Sequence, residues 1–253
     1  QAMVAAAERV FEFLEEDEEV KDPENDIDTS KIKGNVEFKD VEFGYDEDKI
    51  IINDFNAKVT EGQKIAIVGP TGAGKTTMIK LLMRFYDVNN GAILVDGHNI
   101  KDFKRGDLRK MFGMVLQDTW LFGGTVKDNI RYGRPDATDT EVIEAAKAAH
   151  VHHFIKTLPK GYNSIINEES SNISAGQKQL LTIARVILAN PKILILDEAT
   201  SSIDTRTEIQ IQSAMDNLMK GRTSFIIAHR LSTIKNADLI LVMNHGDIVE
   251  QGT

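Results

Sequence analysis

The stretch that decides the fold is KIAIVGPTGAGKTT, residues 64–77. Its first part is a short, mostly apolar run typical of a buried strand, and the glycine-rich part opens a helix predicted to run from about Gly74 to Phe85. GPTGAGKTT (69–77) fits the pattern G-x-x-x-x-G-K-T and stands between a strand and a helix, as that pattern requires. The spacing therefore predicts a loop whose backbone N–H groups surround phosphate oxygens.

Each residue type in this loop has its own chemical task. Gly72 and Gly74 let the backbone curl around the phosphates, while Lys75 reaches the β and γ phosphates of a nucleotide. The hydroxyl of Thr76 is suited to ligate Mg²⁺. The predicted nucleotide-binding residues of the loop are Gly69, Pro70, Thr71, Gly72, Ala73, Gly74, Lys75, Thr76 and Thr77.

Two adjacent carboxylates follow a second apolar run, ILILDEAT (193–200). Successive side chains of a strand point to opposite faces, so two carboxylates at its end can serve different partners. Asp197 is predicted to hold Mg²⁺ through water, and Glu198 to act on the attacking water as a general base. The alternative is a solvated acidic pair with no ligand.

Polar or aromatic residues near three further strands are weaker candidates. Gln117 ends FGMVLQ (112–117) and could position water or Mg²⁺, although such a glutamine is often structural. His229 ends TSFIIAH (223–229), where the strands of a parallel sheet place their functional ends together. Tyr45 precedes the phosphate loop and could stack on an adenine ring.

The composition fits one large α/β domain, or a domain with a subdomain, with 253 residues of which 42% are apolar. Without cysteine there is neither a disulfide nor a thiolate metal site. The net charge of −9 lies in residues 1–28, which hold eleven acidic and two basic residues, so an acidic, solvated linker is predicted there. The neutral remainder argues against a dedicated nucleic-acid binder.

The pattern along the chain predicts an α/β fold with a mainly parallel sheet, an N-terminal antiparallel β subdomain and an inserted α-helical subdomain. The alternation in residues 36–45 predicts two half-buried strands broken near Asp40. Strands nearly vanish over approximately 118–190, which is the predicted helical subdomain. HVHH (150–153) lies in this segment and is interpreted as structural rather than as a metal site, since no cysteine or carboxylate cluster accompanies it.

Six motifs follow one another along the chain: Tyr45, GPTGAGKTT (69–77), VLQD (115–118), ISAGQKQ (173–179), ILILDEATSSID (193–204) and IAHR (227–230). In this order they make the chain resemble the nucleotide-binding domain of an ABC transporter, of the multidrug-exporter type. The resemblance extends from about residue 36 to 253 and implies a P-loop NTPase core. VLQDTWLFGGTVKDNI (115–130) is similar to the exporter segment that receives membrane coupling helices.

The resemblance implies how the site works and what it needs. Its cofactors are ATP and Mg²⁺, with His229 contacting the γ-phosphate and Gln117 sensing the metal. Two such domains pack head to tail, Asp204 bridging to the partner. The signature residues of this chain then close on the γ-phosphate of the ATP bound by the second domain; they are Ser174, Ala175, Gly176 and Gln177.

The resemblance also places the chain within a larger protein. Residues 1–30 resemble the end of a membrane-domain helix with an acidic connector, and residues 31–253 the nucleotide-binding domain. The chain is expected to be cut at both ends and to be a soluble domain at the cytoplasmic face of the membrane. Its expected partners are a second nucleotide-binding domain and the transmembrane domains, and no nucleic acid.

The signature departs from the family pattern. The usual sequence is Leu-Ser-Gly-Gly-Gln, whereas this chain has Ala175 at the third position and Glu169 in place of an arginine ahead of it. An alanine costs little at negative φ and about 1 kcal/mol or more at positive φ. The hypothesis is a heterodimer in which this chain supplies an intact hydrolytic half and a degenerate signature; a symmetric homodimer stays open.

Two other classes of function compete with this interpretation. A soluble ABC-type ATPase acting on nucleic acid is disfavoured by the neutral body of the chain. A GTPase switch is disfavoured because the chain lacks the Asn-Lys-x-Asp motif that reads guanine. Salt-dependent DNA binding and competition between ATP and GTP would discriminate among the three.

Overall fold

The computed structural model describes residues 2–16, 18–24, 27–46, 49–116, 119–167, 172–197, 203–228 and 231–253. The helices within those ranges are α1 (Ala2–Glu15), α2 (Lys75–Leu82), α3 (Arg105–Lys110), α4 (Val126–Arg131), α5 (Asp139–Ala148), α6 (His152–Thr157), α7 (Ala175–Ala189), α8 (Thr205–Met219) and α9 (Leu231–Lys235). The strands are β1 (Val36–Phe43), β2 (Ile52–Val59), β3 (Lys64–Val68), β4 (Asn90–Val95), β5 (His98–Asn99), β6 (Phe112–Val115), β7 (Gly124–Thr125), β8 (Ile165–Ile166), β9 (Ile193–Asp197), β10 (Thr223–Ile227), β11 (Leu239–Asn244) and β12 (Asp247–Gly252).

The central sheet has six strands in the order β12-β11-β3-β10-β9-β6. The pairs β11–β3, β3–β10, β10–β9 and β9–β6 are parallel, and β12 returns antiparallel to β11. Parallel strands need crossover connections, which here contain helices, and the strands are consequently buried on both faces. The predicted mainly parallel α/β fold is confirmed.

The sheet separates two hydrophobic cores. Along β9, Ile193 and Ile195 belong to one core and Leu194 and Leu196 to the other, because alternate side chains leave a strand on opposite faces. The first core also contains α2 and the strands β1, β2 and β4. The second contains apolar residues of α4, α5, α7 and α8. The phosphate loop's helix and the signature helix α7 therefore belong to different layers.

The N-terminal antiparallel sheet has the order β2-β1-β4-β5. The prediction of two strands broken near Asp40 is wrong, since β1 is one strand that pairs with β2 and β4 along its length. The register shifts between Phe38 and Val41, and Asp40 has a φ of 46°. Such a bulge lets the strand bend and continue, which alternation alone does not reveal.

Residues 119–167 and 172–189 are mainly helical, as predicted, and their only described strands are the two-residue pair β7 and β8. Helix α7 packs against α4, α5 and α8. The boundaries 118–190 stay a prediction.

Arg105 anchors the described part of the acidic N-terminal segment. Arg105, at the start of α3, donates to the carbonyl oxygen of Val20 at 2.7 Å and to Asp22 Oδ1 at 2.6 Å. Its Nε lies 2.9 Å from a carboxylate oxygen of Glu19. The expected solvated linker is thus exposed but anchored. None of the described helices combines the length and the hydropathy that crossing a membrane would take.

Candidate nucleotide-binding site

The phosphate loop joins β3 to α2 through three glycines of positive φ. Gly69, Gly72 and Gly74 have φ values of 153°, 83° and 99°. A Cβ on Gly69 would lie 2.2 Å from the carbonyl oxygen of Met243, and one on Gly74 would lie 2.8 Å from Ile52 Cδ1. A Cβ on Gly72 would meet nothing within 4 Å. Glycine is therefore required at 69 and 74 for packing, while the backbone at 72 faces open space.

The open side of the loop presents donors for an anion. Thr71, Gly72 and Thr76 are exposed, whereas Ala73 is buried. Helix α2 begins without a side-chain cap, so the N–H groups of its first turn and its positive dipole end are left for an external acceptor. Lys75 Nζ donates to the carbonyl oxygens of Gly69 at 2.7 Å and Pro70 at 2.9 Å, which places the ammonium against the loop.

Asp197 lies at the edge of the sheet from which the phosphate loop emerges. It ends β9 and is paired in register with Ile227 of β10, which is paired in turn with Ile67 of β3. Adjacent strands are about 4.8 Å apart, so Asp197 lies roughly 10 Å across the sheet from the strand that enters the loop. With the hydroxyl of Thr76, it offers the oxygen donors that Mg²⁺ prefers. The residues present therefore fit a magnesium ion.

Three predicted residues, Gln117, Glu198 and His229, lie outside the described residues. In the sequence they follow the last residues of β6, β9 and β10 by one or two positions. Their catalytic roles stay predictions.

Tyr45, the predicted adenine platform, lies beside α2. Its hydroxyl is 3.4 Å from Thr77 Oγ1 and 3.5 Å from Lys80 Nζ. Its ring meets Phe43 and Tyr86 edge to face at centroid distances of 5.0 Å and 4.9 Å. Tyr45 keeps 42% of its surface exposed, so a planar base has room to stack on it.

Sequence reasoning missed Lys80 and Tyr86. Lys80 could have been found, because it is three residues from Thr77 and so shares its helix face. The contact of Tyr86 with Tyr45 spans 41 positions of sequence, and no local pattern announces it.

The predicted signature residues form the first turn of α7. The hydroxyl of Ser174 accepts from the N–H of Gln177 at 3.3 Å, and the side-chain oxygen of Gln177 accepts from the N–H of Ser174 at 3.1 Å. This reciprocal capping box fixes the helix start. Gly176 is buried, and a Cβ there would lie 2.3 Å from Cγ2 of Thr207 in α8. Gly176 therefore has a packing task, which the sequence interpretation did not include.

Ala175 carries no backbone strain. It is the first residue of α7 and is not among the residues of positive φ. The cost of about 1 kcal/mol or more that a positive φ would impose on this alanine therefore does not apply. Its methyl group lies on an exposed residue at the helix start, so any penalty must come from contact with a partner or ligand.

Asp204 caps α8. Its carboxylate accepts from the N–H of Thr207 at 2.9 Å, and this hydrogen bond lowers the pKa of Asp204. The bridging role predicted for Asp204 lies outside what one chain can test, and it stays a prediction.

The histidine tract makes ordinary structural contacts. His150 Nε2 lies 3.0 Å from Ser213 Oγ, and His152 Nδ1 lies 2.7 Å from the hydroxyl of Tyr162. Desolvation of the Tyr162 hydroxyl raises its pKa to about 12, so this group stays neutral at physiological pH. In the part of the chain that the structure describes, no three His, Cys, Asp or Glu residues are grouped to hold a metal.

Comparisons with known proteins show the family of this chain. Residues 52–201 match the family described as ABC transporter. The chain is 55% identical, over all of its length, to a fatty acid ABC transporter ATP-binding/permease protein of Mycobacterium tuberculosis (strain CDC 1551 / Oshkosh), of which it covers 40%. It is 51% identical to a putative multidrug export ATP-binding/permease protein of Bacillus subtilis (strain 168), with 99% of the chain and 43% of that protein covered.

A solved structure of a bacterial Atm1-family ABC exporter with ATP bound is also similar. It matches with a TM-score of 0.85 and 42% identity, over 99% of this chain and 44% of that chain. The chain thus spans about two fifths of the length of the curated relatives it matches. The chain belongs to the ABC transporter family, as its ATP-binding ATPase domain.

Proposed function

We propose that this chain binds and hydrolyses ATP with Mg²⁺ on behalf of attached membrane domains, and that ATP-dependent pairing with a second nucleotide-binding domain drives export. The observation that carries the proposal is the cradle between β3 and α2. The backbone of the loop is exposed at Gly72, its helix end has no side-chain cap, and Asp197 lies along the same sheet edge. These features suit a triphosphate with a metal ion.

The chemistry divides among residues of this chain. The first N–H groups of α2 bind the phosphates, and Lys75 turns from the loop carbonyls towards the β and γ phosphates. Magnesium, when held by Thr76 and, through water, by Asp197, supplies neutralisation of phosphate charge. Glu198 takes a proton from the attacking water, and Gln117 and His229 orient that water and the γ-phosphate. Tyr45 stacks on the adenine.

The first turn of α7 serves the ATP of a partner domain. A serine hydroxyl has one donor and two acceptor lone pairs, so Ser174 can cap α7 and still donate to a phosphate oxygen. ATP between this helix end and the partner's phosphate loop holds the two domains together, with Asp204 bridging. Hydrolysis removes the γ-phosphate and releases them, so bound and hydrolysed states favour different arrangements of the membrane domains.

We further propose that the pair is a heterodimer, in which an unlike partner supplies an intact signature. The support is the exposed methyl of Ala175 at the helix end, where a phosphate would approach. Residues 1–30 are assigned to the membrane-domain helix and connector and residues 31–253 to the nucleotide-binding domain. This arrangement places the domain at the cytoplasmic face of the membrane.

The test is ATP-driven association of a chain that binds ATP without hydrolysing it. Glu198→Gln removes the general base at constant size. With ATP and Mg²⁺ it is expected to associate only weakly as a dimer, because both signatures of that dimer carry Ala175; light scattering measures the association. The unmodified chain should release phosphate from ATP, and Glu198→Gln should not. If Glu198→Gln hydrolyses ATP at the unmodified rate, the proposed base is wrong.

Two further variants separate the parts of the proposal. Adding Lys75→Ala to Glu198→Gln should abolish association, because the phosphates lose their cation. Adding Ala175→Gly should strengthen association if the methyl obstructs the partner's ATP. Equal association with and without Ala175→Gly contradicts the heterodimer and leaves a symmetric pair.

A further inference from the structure

The neighbours of the Tyr45 side chain lie on α2, shortly after the end of α2, or at the end of β1. Thr77 and Lys80 are one turn apart on α2, and Tyr86 follows the end of that helix. Phe43 is the last residue of β1. The Tyr45 side chain therefore packs against the helix that the phosphate loop opens, although Tyr45 lies 24 positions before Gly69 in the sequence.

The contacts fix both the position and the plane of the ring. The Tyr86 ring meets Tyr45 at an interplanar angle of 82°, and the Phe43 ring meets it at 84°. Lys80 Nζ lies 5.5 Å from the Tyr45 centroid but 3.5 Å from its hydroxyl oxygen, so the ammonium sits at the hydroxyl end of the ring. Both neighbouring rings thus meet Tyr45 at nearly a right angle, and 42% of the surface of Tyr45 stays exposed.

Tyr86 is not a core residue, because 44% of its surface is exposed. Its aromatic partners Phe43 and Tyr45 lie within 5.6 Å and 4.9 Å of its centroid, and Lys80 Nζ lies 6.0 Å from it. Tyr86 is thus a half-exposed ring that contacts Tyr45, its neighbour Phe43 and the ammonium group of Lys80.

We propose that Tyr86 and Lys80 are positioning residues for the base, which orient Tyr45 so that adenine stacks without a loss of side-chain freedom on binding. The inference rests on the proposed stacking role of Tyr45. An ordered platform spares the ligand the entropy cost of fixing that side chain. The consequence is specific: the two residues affect the base of the nucleotide and not its phosphates.

The test compares ATP with tripolyphosphate, each with Mg²⁺, by titration calorimetry on this chain. Tyr86→Leu removes the ring edge and should weaken ATP binding about two- to tenfold, the range that an edge-to-face pair contributes. Tripolyphosphate binding should be unchanged. Tyr86→Phe keeps the ring and should retain the affinity for ATP. Lys80→Met, which keeps the apolar stem, should lower ATP affinity less than Tyr86→Leu.

The matched control is Phe85→Leu. Phe85 is also half-exposed and adjoins Tyr86, but its ring packs against Arg109, whose Cζ lies 4.9 Å from the ring centroid. It should bind ATP as the unmodified chain does. The positioning role is overturned if Tyr86→Leu leaves ATP affinity unchanged, or if it weakens both ligands equally.

Tyr45→Leu distinguishes failure of the inference from failure of the stacking role on which it rests. If Tyr45→Leu weakens ATP and Tyr86→Leu does not, stacking stands and positioning fails. If Tyr45→Leu has no effect on ATP, both fail. In the double variant, Tyr86→Leu should add nothing to Tyr45→Leu, because a positioning residue acts through the ring it orients.

Discussion

Helices α2 and α7 both begin at glycine-containing motifs that predict an anion site, but their first turns are built differently. α2 follows Gly74, which is left-handed and has no side chain to cap the helix. α7 follows Ser174, which forms a complete capping box with Gln177. The glycine beside each start also differs, since Gly74 has positive φ whereas Gly176 lies within a helical turn. The first turn of α2 is left entirely to a ligand, whereas part of the first turn of α7 is already satisfied by its own side chains.

The difference teaches that a motif of glycines before an apolar helix does not define one kind of site. At α2, backbone N–H groups wait for an acceptor, so bound phosphate completes the helix. At α7, the capping box already satisfies the N–H groups of Ser174 and Gln177, so the first turn offers a ligand the N–H groups of Ala175 and Gly176 and the hydroxyl proton of Ser174. An uncapped end suits tight binding of ATP, whereas an end already fixed by its own side chains suits a clamp that engages and releases.

The largest expected effect is on the uncapped end. Lys75→Ala should lower ATP affinity by about 10- to 100-fold, because charge-assisted hydrogen bonds contribute about 1.5–3 kcal/mol each. The stability of the ATP-free chain should barely change, since Lys75 contacts only two loop carbonyls in the structure. Calorimetric titration with ATP measures the affinity. Lys178→Ala, in the first turns of α7, is the matched control and should bind ATP normally in the isolated chain.

A second change tests the packing role of Gly176. Gly176→Ala should destabilise the chain by about 1–3 kcal/mol, the usual cost of overpacking, because the new Cβ meets Thr207 Cγ2. Thr207→Ser removes that methyl and should restore part of the loss in the double variant. Urea denaturation measures both. Gly106→Ala is the control, since a Cβ there meets nothing within 4 Å.

An unchanged stability of Gly176→Ala would contradict this packing role. If Gly176→Ala is as stable as the unmodified chain, the close approach of α7 and α8 is not rigid, and Gly176 is left with the ligand-facing role alone.

A third comparison uses the two capping boxes of the chain. Ser174→Ala opens the box on α7, and Thr138→Ala opens the equivalent box that Thr138 forms with Glu141 on α5. Each should lose about 1 kcal/mol of stability. Only Ser174→Ala should also weaken ATP-driven association in the Glu198→Gln background. Equal association of both variants would show that Ser174 is a cap and nothing more.

Much of this arrangement was predictable because it is local. The buried run before Gly69, the glycine pattern and the position of Asp197 at the end of β9 each follow from a few neighbouring residues, and the parallel sheet follows from strands alternating with helices. The bulge at Asp40 was not predictable, since the apolar alternation shifts phase between Phe38 and Val41 in the same way at a bulge and at a break between two strands.

The remaining features depend on distant contacts. Tyr86 reaches Tyr45, Gly176 reaches Thr207, and Arg105 reaches Asp22 across 83 positions. A single sequence encodes such pairs only through the completed fold. The motif assigned Gly176 a ligand, and only the packing of α7 on α8 reveals why no larger residue fits.

The smallest expected effect contrasts the neutral cap Ser174 with the charged cap Asp204. The hydrogen bond from the N–H of Thr207 lowers the pKa of Asp204. A lowered folded-state pKa adds stability above the unfolded value of about 3.9, and this is lost as pH falls through the folded value. Asp204→Asn keeps an acceptor without titrating, so its stability deficit should shrink between about pH 5 and pH 3. The deficit of Ser174→Ala should stay constant over that range, because a hydroxyl does not titrate. Urea midpoints at several pH values measure both, and a deficit of Asp204→Asn that stays constant would show that the charge of this cap does not stabilise α8.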